Sequence, residues 1–191
     1  GLRIAILIEE LLPLAHHSHI AIVEQDDFSR IFGYKYRVAL VPSILIGQFA
    51  RNIPVRKIYS ALLEEGFTHV YEAEHGADIL KEVLKDYTTD AEKEKPVISS
   101  FCPAVVRLIQ VKFPSLVDHV ALLKPPLDVA ALSIRRDLIL NEKADPEEIG
   151  IFYVTPCAAK IAAIKSPVGE EFSAITGVIN MNYIYNKVFA W

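Results

Sequence analysis

Two cysteines are the side chains of this sequence best suited to chemistry. Cys102 stands in SSFCPAVVRLIQ and Cys157 in VTPCAAKIAAIK, each beside a proline, Pro103 or Pro156. A deprotonated thiol is a nucleophile and a ligand that iron and zinc favour. Each cysteine falls where an apolar run, PVISS (96–100) or GIFYVT (150–155), gives way to a helical pattern. A helix N-terminus stabilises the thiolate through its free N–H groups and its dipole. Two thiolates do not fill a tetrahedral site, so further ligands would come from histidine, carboxylate, a second chain or sequence outside these residues. The opposite reading is that each is a free cysteine packed as a small hydrophobe. His16, His17 and His19 form another group of metal-binding side-chain types. Their i, i+1, i+3 spacing does not put three imidazoles on one helix face, which favours a solvated helix end.

The elements around these residues alternate. Residues 37–42 (RVALVP) predict a buried strand. Gln48 to Glu65 carries Phe49, Ile53, Ile58 and Leu62 at helical spacing, with Pro54 near its first turn and Gly66 just beyond its end. Thr68–Ala73 predicts a strand and Ala77–Tyr87 a helix, followed by a charged connection over 88–95. Pro96–Ser100 predicts a short strand, Pro103–Phe113 a helix, and Asp128–Glu142 a longer helix in which Arg135–Asp137 form a solvated turn. Gly150–Thr155 is the strongest strand signal. A short helix after Cys157, a weak strand near Ala174–Ile179 and a helix from Asn182 complete the pattern. This order predicts an α/β fold, a mostly parallel sheet with helices on both faces. Ligands of such sheets bind beyond the carboxyl ends of the strands, where both cysteines are expected. Residues 1–36 fit the alternation poorly and read as an N-terminal appendage to a lobe spanning 37–191.

Composition narrows the function classes. With 52% hydrophobic and 23% charged residues, 191 residues can bury a sizeable core, which excludes a disordered chain. Twenty basic against 24 acidic side chains, a formal charge of −4, argue against a nucleic-acid partner. Leu2–Leu14 is apolar but is interrupted by Arg3, Glu9 and Glu10. It falls short of the roughly 20 residues a bilayer requires, so no membrane partner is expected. Two cysteines are too few for a disulfide scaffold, and a reducing, cytoplasmic setting is the expectation.

The residues around the two cysteines resemble a known family. SSFCPAVVRLIQVKFPSL is similar to the first signature of iron-only hydrogenase large subunits, T-S-C-C-P-x-W, and TPCAAK to the second, P-C-x-x-K-K-x-E. LLKPPLDVAA lies between them in the family's order. The resemblance covers about residues 35–185 and points to the divergent, sensory-like branch. It implies a first lobe of a two-lobed α/β catalytic domain, with a four-iron cubane bridged to a diiron centre in the cleft. Carried over by position, Cys102 and Cys157 would be cubane ligands. Lys160 would hydrogen-bond a cyanide of the diiron unit, which suits a compact ammonium donor; otherwise it is a solvated helix lysine. Glu72, Glu74 and His75 end the second strand near the family's acidic proton-path residue, with Glu74 the closest match, against ordinary exposure. Arg107 would face the site from the helix after Cys102, against the more common role of an arginine on the surface.

The departures set what the resemblance implies for this chain. Phe101 stands where catalytic relatives place a proton-passing cysteine, and a phenyl ring has no exchangeable proton. Ile161 replaces the second lysine of the second signature and Ala163 its glutamate, while Val106 stands at or beside the tryptophan of the first. The third signature, which supplies the remaining cysteines, has no counterpart in these residues. Relatives carry ferredoxin-like modules upstream, and residues 1–36 would be a remnant of one, yet no cysteine precedes Cys102. The expected partners are a missing second lobe or domain and a ferredoxin-like electron carrier, with self-association through the apolar face left open. Two functions compete. In one, the chain is part of a protein that oxidises or evolves dihydrogen, or senses redox state, and is inactive alone, with no cofactor bound by the chain itself. In the other, it is a regulatory or protein-interaction module on a decayed hydrogenase fold. A simple zinc or thiol site built from Cys102 and Cys157 is a third.

Overall fold

The computed structural model of this protein describes residues 27–90, 95–166 and 173–190. Four strands, β1 (Tyr36–Val41), β2 (His69–Glu72), β3 (Ile149–Thr155) and β4 (Gly177–Asn180), form one parallel sheet in the order β2-β1-β3-β4. The helices are α1 (Ser43–Ile46), α2 (Val55–Glu64), α3 (His75–Thr89), α4 (Pro103–Lys112), α5 (Pro126–Asn141), α6 (Ala158–Lys165) and α7 (Met181–Phe189). The α/β architecture read from the sequence is therefore the observed one.

The sheet is covered on both faces because its central strands are apolar on both. Along β1, Val38 and Leu40 enter one layer and Ala39 and Val41 the other; β3 divides Ile151 and Tyr153 from Phe152 and Val154 in the same way. This is the period-two split of a strand buried on both faces. One layer is closed by Ile58 and Leu62 of α2 and by Ile184 and Val188 of α7. The other is closed by Ala130, Ile134 and Leu138 of α5, and each large aliphatic side chain buried there contributes about 1.5–3 kcal/mol. Helix α3 lies on α5, and their approach is close enough that a Cβ on Gly76 would overlap the Pro126 carbonyl oxygen.

The first described residues are packed into the lobe. Phe28 and Ile31, from the 3-10 turn Phe28–Gly33, join the core. Asp27 closes the outer edge of β4: its N–H donates to the Val178 carbonyl at 3.2 Å and its carboxylate accepts from the Val178 N–H at 2.9 Å. The appendage expected over residues 1–36 otherwise lies outside the described residues, as do His16, His17 and His19.

Three local expectations are corrected. The helix predicted from Gln48 begins only at Val55, with Pro54 as its N-cap in extended backbone. Phe49 and Ile53 pack on the core from the preceding loop, and Gly66 leaves the helix with φ +112°. The weak strand expected at 174–179 runs Gly177–Asn180. PVISS is no strand of the sheet: its pairing is an isolated bridge between Ile98 and Val120. Its serines bond to backbone outside the sheet instead: Ser100 Oγ donates to the Leu123 carbonyl, 23 positions on, and Ser99 Oγ accepts locally from the Phe101 N–H.

Candidate functional site

The strand order reverses between the parallel neighbours β1 and β3. From β1 the chain moves to β2 on one side, and β3 returns on the other before β4 extends outward. In an open parallel sheet the crevice beyond the carboxyl ends of the strands at such a switch point is where ligands bind. A cavity of about 820 Å³ occupies this place, with Pro42 just beyond β1 and Thr155 and Pro156 at the end of β3 on its wall.

Four helices begin on this cavity. Glu74 and Ala77 bring the start of α3 to its wall, Phe101 and Pro103 that of α4, Pro126 and Leu127 that of α5, and Pro156 and Cys157 that of α6. Each helix presents the positive end of its dipole and its unbonded N–H groups there, and Lys160 and Arg107 add full charges. Glu74 and Asp128 stand on the same wall, so two carboxylates share the cavity with these positive groups.

Cys157 lines the cavity, half-buried, as the N-cap of α6. Its N–H donates to Thr155 Oγ1 at 3.2 Å, and its carbonyl accepts the first helical bond from Ile161 at 3.0 Å. Cys102 is the N-cap of α4, in nearly the same backbone conformation: φ −106° and ψ 105°, against φ −90° and ψ 107° at Cys157. Neither side chain caps its helix, and both thiols are free. The equivalence differs from the one expected, because Cys157 follows a sheet strand and Cys102 follows an isolated bridge. Cys102 is exposed, and its neighbours Phe101 and Pro103 line the cavity in its place.

Lys160 and Glu74 face the same space. Lys160 Nζ lies 5.8 Å from the ring centre of buried Tyr153. Glu74 Oε1 accepts two hydrogen bonds from Ser43, one from the N–H at 2.9 Å and one from Oγ at 2.7 Å. Partial burial disfavours its charge. The Ser43 bonds, its own N–H and the nearby Lys160 ammonium outweigh that, and its carboxyl is held below the ordinary range. Glu72 turns elsewhere and accepts the Tyr59 hydroxyl at 2.7 Å. Arg107, Gln110 and Asp128 also line the cavity. Ser43 was missed in the sequence reading; the available signal was its place just after a strand that ends in proline.

The donor set agrees in kind with an anionic, thiolate-ligated iron group, but of its two free thiols only Cys157 lines the cavity beside Lys160 and the converging helix N-termini. In number it is half of one. Among the described residues, no three of His, Cys, Asp and Glu are grouped to hold a metal. Also among the described residues, no helix is long and apolar enough to cross a membrane.

Comparison with known proteins gives one consistent result. The family model described as iron only hydrogenase large subunit, C-terminal domain, matches residues 35–182. The periplasmic Fe hydrogenase large subunit of Nitratidesulfovibrio vulgaris is 24% identical over 114 residues, 57% of this chain and 27% of that one. Iron hydrogenase 1 of Clostridium pasteurianum is 25% identical over 109 residues, 54% of this chain and 19% of that one. Among solved structures, a variant apo FeFe-hydrogenase of Chlamydomonas reinhardtii superposes with a TM-score of 0.63 at 18% identity, over 88% of this chain and 46% of that one. The chain thus spans about a quarter or less of these curated relatives and under half of the solved chain.

Proposed function

The chain belongs to the family of the iron-only hydrogenase large subunit, C-terminal domain, and from that premise we propose that it supplies one wall of an iron-cofactor site in a protein that reacts with or senses dihydrogen. The observation that carries this reading is the meeting of Cys157, Lys160 and four helix N-termini on one cavity at the switch point of the sheet. Cys102 and Cys157 would ligate an iron–sulfur cluster, and Lys160 would donate to an anionic ligand of a diiron unit beside it. Such a group, when bound, supplies the electron and hydride chemistry of dihydrogen.

The chain's own residues do the rest. The helix dipoles, Lys160 and Arg107 offset the negative charge of the group, and Pro42, Ile44 and Val106 exclude water from the apolar part of the wall. Ser43 fixes Glu74 as a carboxylate on the same cavity as Lys160, where it can hold a proton at Oε2. Phe101 occupies the wall where a cysteine would pass protons, so direct relay at that point is absent. A partner lobe completes the site, and a ferredoxin-like carrier is the expected electron source. The Phe101 and Ala163 replacements favour a second reading, in which the same fold serves as a non-catalytic regulatory or interaction module.

Infrared spectroscopy distinguishes the two readings. Incubated anaerobically with a synthetic dicyano-diiron complex and desalted, the chain is expected to retain cyanide bands shifted from those of the free complex. Lys160→Ala should return them to the free position or lose them. Dihydrogen evolution by the chain alone should stay at background. Failure to retain the complex would leave the interaction-module reading standing.

A further inference from the structure

The cavity wall holds a buried polar group with nothing to bond. Tyr153, near the end of β3, is 4% exposed and lines the cavity, yet its hydroxyl makes no hydrogen bond among the described residues. A buried donor left unpaired is costly, and native folds keep few of them. The hydroxyl is not sealed in the core. Among the described residues, the side-chain polar atom with neither a partner nor solvent access is Arg37 Nε. The Tyr153 O–H therefore opens on the cavity that its residue lines.

The charges beside it are unevenly paired. Lys160 Nζ stands over the Tyr153 ring, 5.8 Å from its centre, and makes no ion pair among the described residues. Neither does Arg107, half-buried elsewhere on the wall. The two carboxylates are already engaged: Glu74 accepts both donors of Ser43, and Asp128 has a partner of its own. Among its charged groups, the wall thus leaves two cations without a counterion, and a hydroxyl donor stands next to one of them. That is the complement of a carboxylate, which is ionised near neutral pH and accepts through two oxygens.

The rest of the wall asks for something other than charge. Pro42, Ile44, Phe101, Val106, Pro126 and Leu127 line it. A small, multiply charged anion such as phosphate would leave this surface uncovered. A mostly apolar wall with a few placed polar groups is the pattern of a small-molecule site, and a volume of about 820 Å³ lies within the range of such sites.

We propose that the cavity binds an apolar monocarboxylate, an acid with one charged head and an aliphatic or aromatic body. The head takes the Tyr153 hydroxyl and the Lys160 ammonium, Arg107 adds attraction, and the body lies against the prolines and Phe101. Binding is reversible and no covalent bond changes. Such a ligand gives a regulatory module on this fold a small-molecule signal to read. The proposal goes beyond the iron-cofactor reading and does not rest on it: the unpartnered hydroxyl and the unpaired cations belong to this chain, and the test contains no iron, so either reading can fail alone.

Octanoate is the probe, with octan-1-ol as its uncharged counterpart and acetate as the head without the body. Affinity for the purified chain near neutral pH is read by calorimetry. Alkylation of the two thiols by iodoacetamide, followed by peptide mass spectrometry, locates the ligand. Octanoate should bind at least about tenfold tighter than acetate, because each buried methylene adds to binding, and at least about tenfold tighter than octan-1-ol, because its head meets charged partners. It should slow alkylation of Cys157, which lines the cavity, severalfold, and that of exposed Cys102 less. Tyr153→Phe keeps the ring beneath Lys160 and removes one oxygen; it should weaken octanoate about tenfold, the worth of a hydrogen bond to a charged group, and leave octan-1-ol unchanged. Lys160→Met should weaken octanoate to a similar extent, and Lys112→Met, which removes a lysine of α4 that is off the wall, should change nothing. Should Tyr153→Phe lose its circular dichroism, the half-buried Lys160 position carries the comparison. No octanoate binding, equal slowing at both thiols, octan-1-ol as tight as octanoate, or full affinity in a folded Tyr153→Phe or Lys160→Met would each overturn the proposal.

Discussion

The carboxylate of Glu74 illustrates how single side chains set the character of the cavity. Burial alone would raise its pKa, yet two donors from Ser43 and the Lys160 ammonium hold it below the ordinary range. A carboxyl lowered on folding contributes stability above its unfolded pKa and loses that contribution as pH falls through the folded value. The Ser43–Glu74 link is therefore intact near neutral pH and loosens in acid. Ser43→Ala removes the hydroxyl donor and leaves burial less opposed, so the pKa of Glu74, followed by carboxyl carbon NMR, should rise; an unchanged titration would mean that Ser43 does not set it. Cys157 and Lys160 could be picked out in the sequence because a short motif carries both. Ser43 could not, because its partner stands 31 positions away and only the pairing of β1 with β2 brings the two strand ends together.

At the scale of elements, the site depends on helices starting where strands stop. The α3–α5 crossing brings two of those helix N-termini to the cavity, and Gly76 permits it by leaving no side chain against the Pro126 carbonyl. Gly76→Ala should overpack the crossing and cost about 3 kcal/mol, which lowers the melting temperature by roughly 6–12 °C for a chain of this size; a shift under about 2 °C would show that the helices separate freely. Strands β1 and β3 were legible because the short apolar runs VALV and IFYV, rich in β-branched and aromatic residues, suit a strand buried on both faces. The same logic misread PVISS, where Pro96 lacks a donor and Ser99 and Ser100 bond to backbone outside the sheet. The late start of α2 has a similar cause. Apolar spacing over Phe49 and Ile53 arises from loop residues packing on the core, which periodicity cannot tell from a helix.

For the whole molecule, layer order and strand direction follow from burial, and the cavity follows from the switch in strand order. A sequence reading placed the chemistry at the strand ends without locating the switch, because order within a sheet is set by long-range packing between strands. An exposed apolar face was expected from the sequence, but not that α4 would expose Leu108 and Val111, since exposure is a property of what lies beside the helix. The account as a whole stands on Cys102 and Cys157 of one chain addressing a single metal-sized space. Phenylarsine oxide tests this directly, because its arsenic bonds two thiols and releases water only when both sulfurs reach one atom. The account predicts one arsenical per chain in the denaturing mass spectrum, with both thiols consumed and with the adduct lost in Cys102→Ser or Cys157→Ser. Two thiols that stay titratable after treatment, or an adduct that joins two chains and never closes within one, would contradict it.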